Sequence, residues 1–252
     1  MVQHLIVPID GSEHSWRAAE VAVALAKRCD GRVEVLEVVF EARELSDAEL
    51  RLDRGIRRLD EPDVEISPTA SLASEGVAAA IAEFAEQRPD AVLVMASHGR
   101  GRSAALLGSI AEDVLRRTFG PIVVVGPRVE ASDFSGPIVV AVDGSELSES
   151  ALPLAAAWGI ELRSTPWVVE VAQPDLTMPS DVDPGAYPAR LAAKLTRDSS
   201  HEVQYELLRG RHPDKAVAEF VDGVGASLVV ASTHGRTGAA RFVVGSVAAG
   251  FV

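Results

Sequence analysis

A single cysteine, Cys29, occurs in 252 residues, so no intramolecular disulfide can form. A reducing compartment suits such a chain. Positive charge is scarce as well: 24 Lys and Arg stand against 37 Asp and Glu, a formal net charge of −13. Both halves of the chain share this acidic excess. A nucleic-acid or anionic-membrane surface needs the opposite balance. No basic run precedes an apolar stretch at Met1-Val2-Gln3-His4, so no signal peptide is read there. The longest apolar runs, Ile138–Val142 and Leu228–Ala231, are strand-length and far short of a membrane span. These absences fit a cytoplasmic protein with neither nucleic acid nor membrane as a partner.

Several signatures of chemistry are missing too. There is no Gly-x4-Gly-Lys-Ser/Thr loop of the kind that cradles a triphosphate. Gly99-Arg100-Gly101 follows the fourth expected strand rather than the first, so it is no dinucleotide fingerprint. His98 and His234 have no serine, cysteine or carboxylate partner at a fixed spacing, which leaves a nucleophilic triad unsupported. They read as loop histidines bonded to the backbone. Two histidines in separate places and one cysteine do not complete a metal site. Cys29, near a helix end, reads as packing. A Ser-Gly-Gly-x-Asp-Ser phosphate grip, which adenylate-transfer enzymes need, is absent.

What is present is repetition. Leu5-Ile6-Val7-Pro8-Ile9-Asp10-Gly11-Ser12-Glu13 returns as Ile138-Val139-Val140-Ala141-Val142-Asp143-Gly144-Ser145-Glu146. Val92–Arg100 returns as Leu228–Arg236, and Leu107–Ala111 returns as Val244–Ala248. The offsets are 133, 136 and 137 residues, in the same order along the chain. Two tandem copies are therefore expected, residues 1–130 and 138–252, joined by a Gly-, Pro-, Ser- and Asp-bearing linker at 131–137.

Within one copy, short apolar runs alternate with helical patterns. Strands are expected at Leu5–Ile9, Val33–Val39, Val64–Ala70, Ala91–Ala96 and Ile122–Val125. Helices are expected from Ser12, a natural N-cap, to Cys29, over Asp47–Leu59 and Val77–Gln87, and from Gly108-Ser109 to Arg117. Ser109-Ile110-Ala111-Glu112 has the form of a capping box with Ser109 as N-cap. In the second copy, the Pro- and Asp-rich stretch Gln173–Tyr187 reads as a loop before a helix at Ala189–Arg197. Strand–helix alternation predicts α/β architecture: two tandem open parallel five-stranded sheets with helices on both faces. Six residues follow Ser246, against sixteen from Ser109 to Val125. The fifth strand of the second copy is therefore expected to be absent from this sequence.

In such sheets ligands sit at the carboxyl ends of strands. Asp10 and Asp143 stand there, where a carboxylate either accepts from a sugar hydroxyl or base amine or simply makes the Asp-Gly-Ser turn. Glycines after the fourth strand let backbone N–H groups converge on an anion. Gly108-Ser109 and Gly245-Ser246 open helices, whose free N–H groups suit a phosphate.

Taken in order and twice over, the strand-Asp-Gly-Ser start, the strand-Ser-His-Gly-Arg stretch and the Gly-Ser helix start resemble a tandem universal stress protein along essentially the whole chain. The resemblance implies a Rossmann-like sheet of the adenine-nucleotide alpha-hydrolase type. It also implies a regulatory adenine-nucleotide site in each copy, with little or no turnover: ATP, with Mg, or else AMP or cyclic AMP. A member that binds no nucleotide and acts as a protein-interaction module is the alternative. Family ATP sites follow Gly-x2-Gly-x9-Gly-Ser/Thr. Matched to that pattern, the first copy offers Asp10, Val38, Gly99, Gly108, Ser109 and Ile110. Ala96 stands for the first Gly, and eight residues rather than nine separate Gly99 from Gly108. The second offers Asp143, Val171, Gly235, Gly245, Ser246 and Val247, with nine-residue spacing and Ser232 for the first Gly. The resemblance further implies pairing of the two copies as a pseudo-dimer, a homodimer of chains, and a regulatory protein partner.

Overall fold

The computed structural model describes residues 3–98, 107–173 and 185–232. The chain divides into two compact units, Met1–Asp133 and Phe134–Phe251.

In the first unit β1 (His4–Pro8) leads to α1 (Glu13–Cys29) and β2 (Arg32–Val39). A 3-10 turn at Ala42–Glu44 and α2 (Leu45–Leu59) follow, then β3 (Ile66–Leu72), α3 (Val77–Glu86), β4 (Ala91–Ala96), α4 (Ser109–Arg117) and β5 (Ile122–Val125). The five strands are parallel in the order β3-β2-β1-β4-β5. Leu5, Ile6 and Val7 are fully buried, as a central strand covered on both faces requires. Burying each such side chain contributes about 1.5–3 kcal/mol. α1 starts at Ser12, whose side chain accepts from Ser15 N, and ends at Asp30 in the left-handed region, φ 52°. β3 begins at Ile66 rather than Val64, because its pairing runs from Val33↔Ile66 to Val39↔Leu72.

The second unit runs β6 (Ile138–Val142), α5 (Glu146–Glu149), α6 (Leu152–Glu161), β7 (Pro166–Ala172), α7 (Ala186–Ser199), β8 (Gln204–Arg209), α8 (Pro213–Val224) and β9 (Leu228–Val230). Its described strands are parallel in the order β8-β7-β6-β9, which reproduces the order of the first four strands of unit one. Ile138, Val139 and Val140 are fully buried. The loop expected up to Tyr187 is shorter than its prolines suggested. α7 takes in Pro188 in its first turn, where a missing N–H leaves no helical bond unmade. Among the described residues no helix is long and apolar enough to cross a membrane.

Candidate functional site

Strand order reverses between β1 and β4, since β2 and β3 lie to one side and β5 to the other. Crevices form at such points outside the strands' carboxyl ends. Unit one has a cavity of about 510 Å³ there. One part of its wall is apolar: Ile9, Leu36, Val38, Val77, Ile81 and Met95. The other is polar, with Asp10, Ser97, His98 and Ser109 beside the first turn of α4. An apolar slot with a few converging polar groups is the usual form of a small-molecule site.

Of the residues expected in the first copy, Asp10, Val38, Ala96, Gly108, Ser109 and Ile110 all line this cavity. Gly99 lies outside the described residues. Sequence reasoning missed Ser15, Glu37 and Ser97 in the wall and assigned His98 no place in it. The Ser-His pair at 97–98, repeated as Thr-His at 233–234, was the available signal for two of them.

The turn after β1 does two jobs. Gly11 takes φ 81°, a conformation that strains any side chain. This lets Asp10 Oδ1 accept from Ser12 N at 2.9 Å, so Asp10 makes the Asp-Gly-Ser turn and stands in the cavity wall as well. Ser15, buried at the base of α1, donates its hydroxyl to Ser12 O at 2.9 Å.

The start of α4 corrects one expectation. Ser109 is not the N-cap; Gly108 is, with φ −69° and ψ 151°. Glu112 N donates to Gly108 O at 2.9 Å, so helical bonding begins one residue earlier than a capping box on Ser109 requires. The Glu112 carboxylate pairs with Arg116 instead. Among the described residues no side chain caps α4, and its first turn lines the cavity with the N–H groups and partial positive charge of a helix end. Gly108 N donates to Ser97 O at 2.8 Å, which pins this turn to the end of β4. Ser97 Oγ lies 3.0 Å from His98 Nδ1, so the neighbouring hydroxyl engages one nitrogen of the ring.

Glu37, in the wall beside Val38, carries a counter-charge. Its Oε1 accepts from Arg51 Nε at 3.1 Å and from Arg51 Nη2 at 2.5 Å. That bond raises the guanidinium above its ordinary pKa.

In unit two, Asp143 repeats the turn. Its Oδ1 accepts from Ser145 N at 3.0 Å and from Ser145 Oγ at 2.6 Å, with Gly144 at φ 82°. Val171 lies near the end of β7, and Ser232 follows β9. Gly235, Gly245, Ser246 and Val247 lie outside the described residues. Beside Asp143, Tyr187 donates to Glu149 Oε1 at 3.0 Å. Its phenol is pushed well above the ordinary tyrosine value by burial, then by this bond and by the charges of Glu149, Glu170 and Asp143.

With this geometry in view, comparison with known proteins is informative. The profile of the universal stress protein family matches residues 1–126 and again 135–252. A universal stress protein of Mycobacterium tuberculosis is 30% identical over 214 residues, covering 78% of this chain and 69% of that protein. Among solved structures, a universal stress protein from Archaeoglobus fulgidus superposes with a TM-score of 0.65 at 19% identity, over 90% of this chain and 83% of that one. A protein described as a putative universal stress protein from Pseudomonas aeruginosa gives 0.63 at 16% identity, over 99% and 88%. At such identities these two likenesses concern the fold, whereas the doubled profile match concerns the sequence itself. The chain belongs to the universal stress protein family, with two family domains in tandem.

Proposed function

We propose that unit one binds an adenine nucleotide as a regulatory ligand and turns it over little or not at all. The observation that carries this reading is the cavity at the strand-order reversal, where Asp10, Val38, Gly108 and Ser109 meet. The first turn of α4, uncapped among the described residues, suits a phosphate through backbone N–H groups and the Ser109 hydroxyl. This is how an anion can bind a chain of net charge −13. The apolar slot suits a base, and Asp10 at the turn suits a ribose hydroxyl. ATP, with Mg, is the leading ligand; AMP and cyclic AMP are the alternatives. Such a site reports nucleotide level to a partner protein, in the cytoplasm by the reading of Cys29.

Titration calorimetry of the whole chain with ATP, AMP and cyclic AMP tests the reading. Binding with slow or undetectable phosphate release is expected, and Asp10→Ala or Ser109→Ala weakens it about tenfold, the worth of one charged or ligand-facing hydrogen bond. Absence of heat with all three nucleotides refutes it. A second reading has one observation in its favour. Ala96 places a methyl in the cavity wall where the family's ATP sites have glycine, which suits a member that signals through protein contacts alone.

A further inference from the structure

We infer that a second cavity of unit one, at the amino ends of β1, β2 and β4, binds a small oxyanion, a carboxylate or a phosphate-like group, on Arg32 with His4 and Arg88 beside it. This cavity lies at the opposite end of the sheet from Asp10 and α4, and its role is independent of the nucleotide reading.

The register of three strands assembles the cavity. His4 opens β1 and stands beside Arg32 of β2 on one side and Ala91 of β4 on the other. Gln3, His4, Arg32, Arg88 and Asp90 border a space of about 410 Å³ there. Side chains two residues apart on a strand share a face of the sheet. Arg32 therefore shares the face of Glu34, whose Oε2 meets His4 Nε2 at 2.8 Å and Arg88 Nε at 3.2 Å. Two arginines and a histidine thus converge on one face, the face on which α3 ends.

The two arginines are engaged differently. Arg88 is fixed: its guanidinium lies 3.6 Å over the Phe84 ring, and Nη1 donates to Phe84 O at 3.1 Å. Glu34, which also accepts from Thr69 at 2.7 Å, balances its charge. Arg32 is exposed, and among the described residues no hydrogen bond or ion pair engages its guanidinium. A guanidinium so placed offers paired N–H donors to an oxyanion. Burial, and then the charge of Arg32, lowers the His4 pKa; Arg88 adds to this and Glu34 opposes it. An anion on Arg32 offsets that charge, so the ring takes up a proton as the anion binds. Asp90 also borders the cavity, but it is exposed, where water and salt screen its charge. Unit two does not repeat the set. By the register of β6 with β7 and β9, Pro137, Thr165 and Val224 match His4, Arg32 and Arg88, so one such site per chain follows.

Sulfate and acetate are the probes, because neither changes charge between about pH 6 and pH 8. Each is titrated into the full chain at constant ionic strength while the histidine ring signals are followed by NMR. The signal that His4→Gln removes belongs to His4. A saturable shift of that signal is expected with at least one anion, together with a raised His4 midpoint and binding that weakens as pH rises. Arg32→Ala is expected to weaken binding about tenfold, the worth of one charged hydrogen bond, and Asp90→Asn to strengthen it. Arg32→Lys keeps the charge without the planar fork and gives an intermediate affinity; it carries the test if circular dichroism shows that the alanine variant fails to fold. The anion that binds more tightly identifies the ligand group as carboxylate or phosphate-like. No saturable shift of the His4 signal with either anion, or equal affinity in wild type and the Arg32 variants, overturns the site.

Discussion

The ends of β1 and β6 are near-copies, while the helices that follow them are not. Gly11 and Gly144 take φ 81° and 82°, Asp10 and Asp143 each accept from the serine two residues on, and Ser12 and Ser145 each cap a helix. Beyond the cap the units part. α1 runs unbroken for 17 residues, whereas unit two has α5 of four residues and then α6. Pro153 accounts for the break: it donates no N–H, and its ring clashes with the carbonyl four residues back, that of Glu149. Trp16 in α1 is matched in sequence by Glu149 in α5. Nine residues before each left-handed helix cap stand Arg51 in α2 and Leu191 in α7. The carboxylate beside the site is thus answered by an arginine in unit one, while in unit two Tyr187 bonds to Glu149. The strand ends fix where a ligand can lie, and the flanking helices set the charge and shape it meets.

The comparison can be put to the test, starting with what the units share. Leu5 and Ile138 occupy matching, fully buried positions. Leu5→Ala and Ile138→Ala are each expected to cost about 2–5 kcal/mol, read as a lowered transition by scanning calorimetry. A tenfold smaller loss for either breaks the equivalence of the two sheets.

A smaller effect belongs to unit one alone. A Cβ added at Gly55 in α2 meets the Trp16 ring at 2.0 Å, so α1 and α2 pack as closely as they do because that position has no side chain. Gly55→Ala is expected to destabilise by about 1–3 kcal/mol through overpacking. An unchanged melting temperature shows that the helices separate freely, and would remove this close contact as a mark of unit one.

The smallest expected effect is a pH dependence. His4 Nε2 lies 2.8 Å from Glu34 Oε2, which also pairs with Arg88 Nε at 3.2 Å, while Glu34 Oε1 accepts from Thr69 at 2.7 Å. Burial above all, and then the charge of Arg32, lowers the His4 pKa; Glu34 opposes this in part. The folded state therefore holds fewer protons on His4 than the unfolded state does. The associated stability is full above the ordinary histidine value of 6.5 and declines as pH falls below it towards the lowered folded value. Unit two has Pro137 at the matching position. His4→Gln is expected to flatten the acid side of unit one's stability profile and leave unit two's as it was. A profile that keeps its slope in the variant assigns the proton elsewhere.

Much of this architecture is legible in the chain because it follows from local rules. Apolar runs of strand length, Asp-Gly-Ser turns and serine caps fix the ends of β1, α1, β6 and α5 with little help from distant residues. What sequence reasoning misplaced depended on partners far along the chain. The start of β3 is set by pairing with β2. Pro188 marks a helix start rather than a loop because α7 begins ahead of it. Ser109 has the sequence of a cap, yet Gly108 takes that role, held by Ser97 across the excursion between β4 and α4. Six expected residues of the first site meet in one cavity, but nothing in the motif pointed to Glu37, which stands at the end of β2 and is bonded by an arginine 14 residues away in α2.

By itself the sequence determined that there are two copies, that each is a parallel α/β sheet, and which strand ends carry the Asp and Gly-Ser motifs, since periodicity and repetition are written along the chain. Only the tertiary structure decided that β1 sits between β2 and β4, and so that Asp10, Glu37 and the first turn of α4 border one cavity. Strand order comes from crossovers and long-range pairing, which join residues tens of positions apart. The ion pairs and caps at that cavity depend on which side chains are thereby brought face to face.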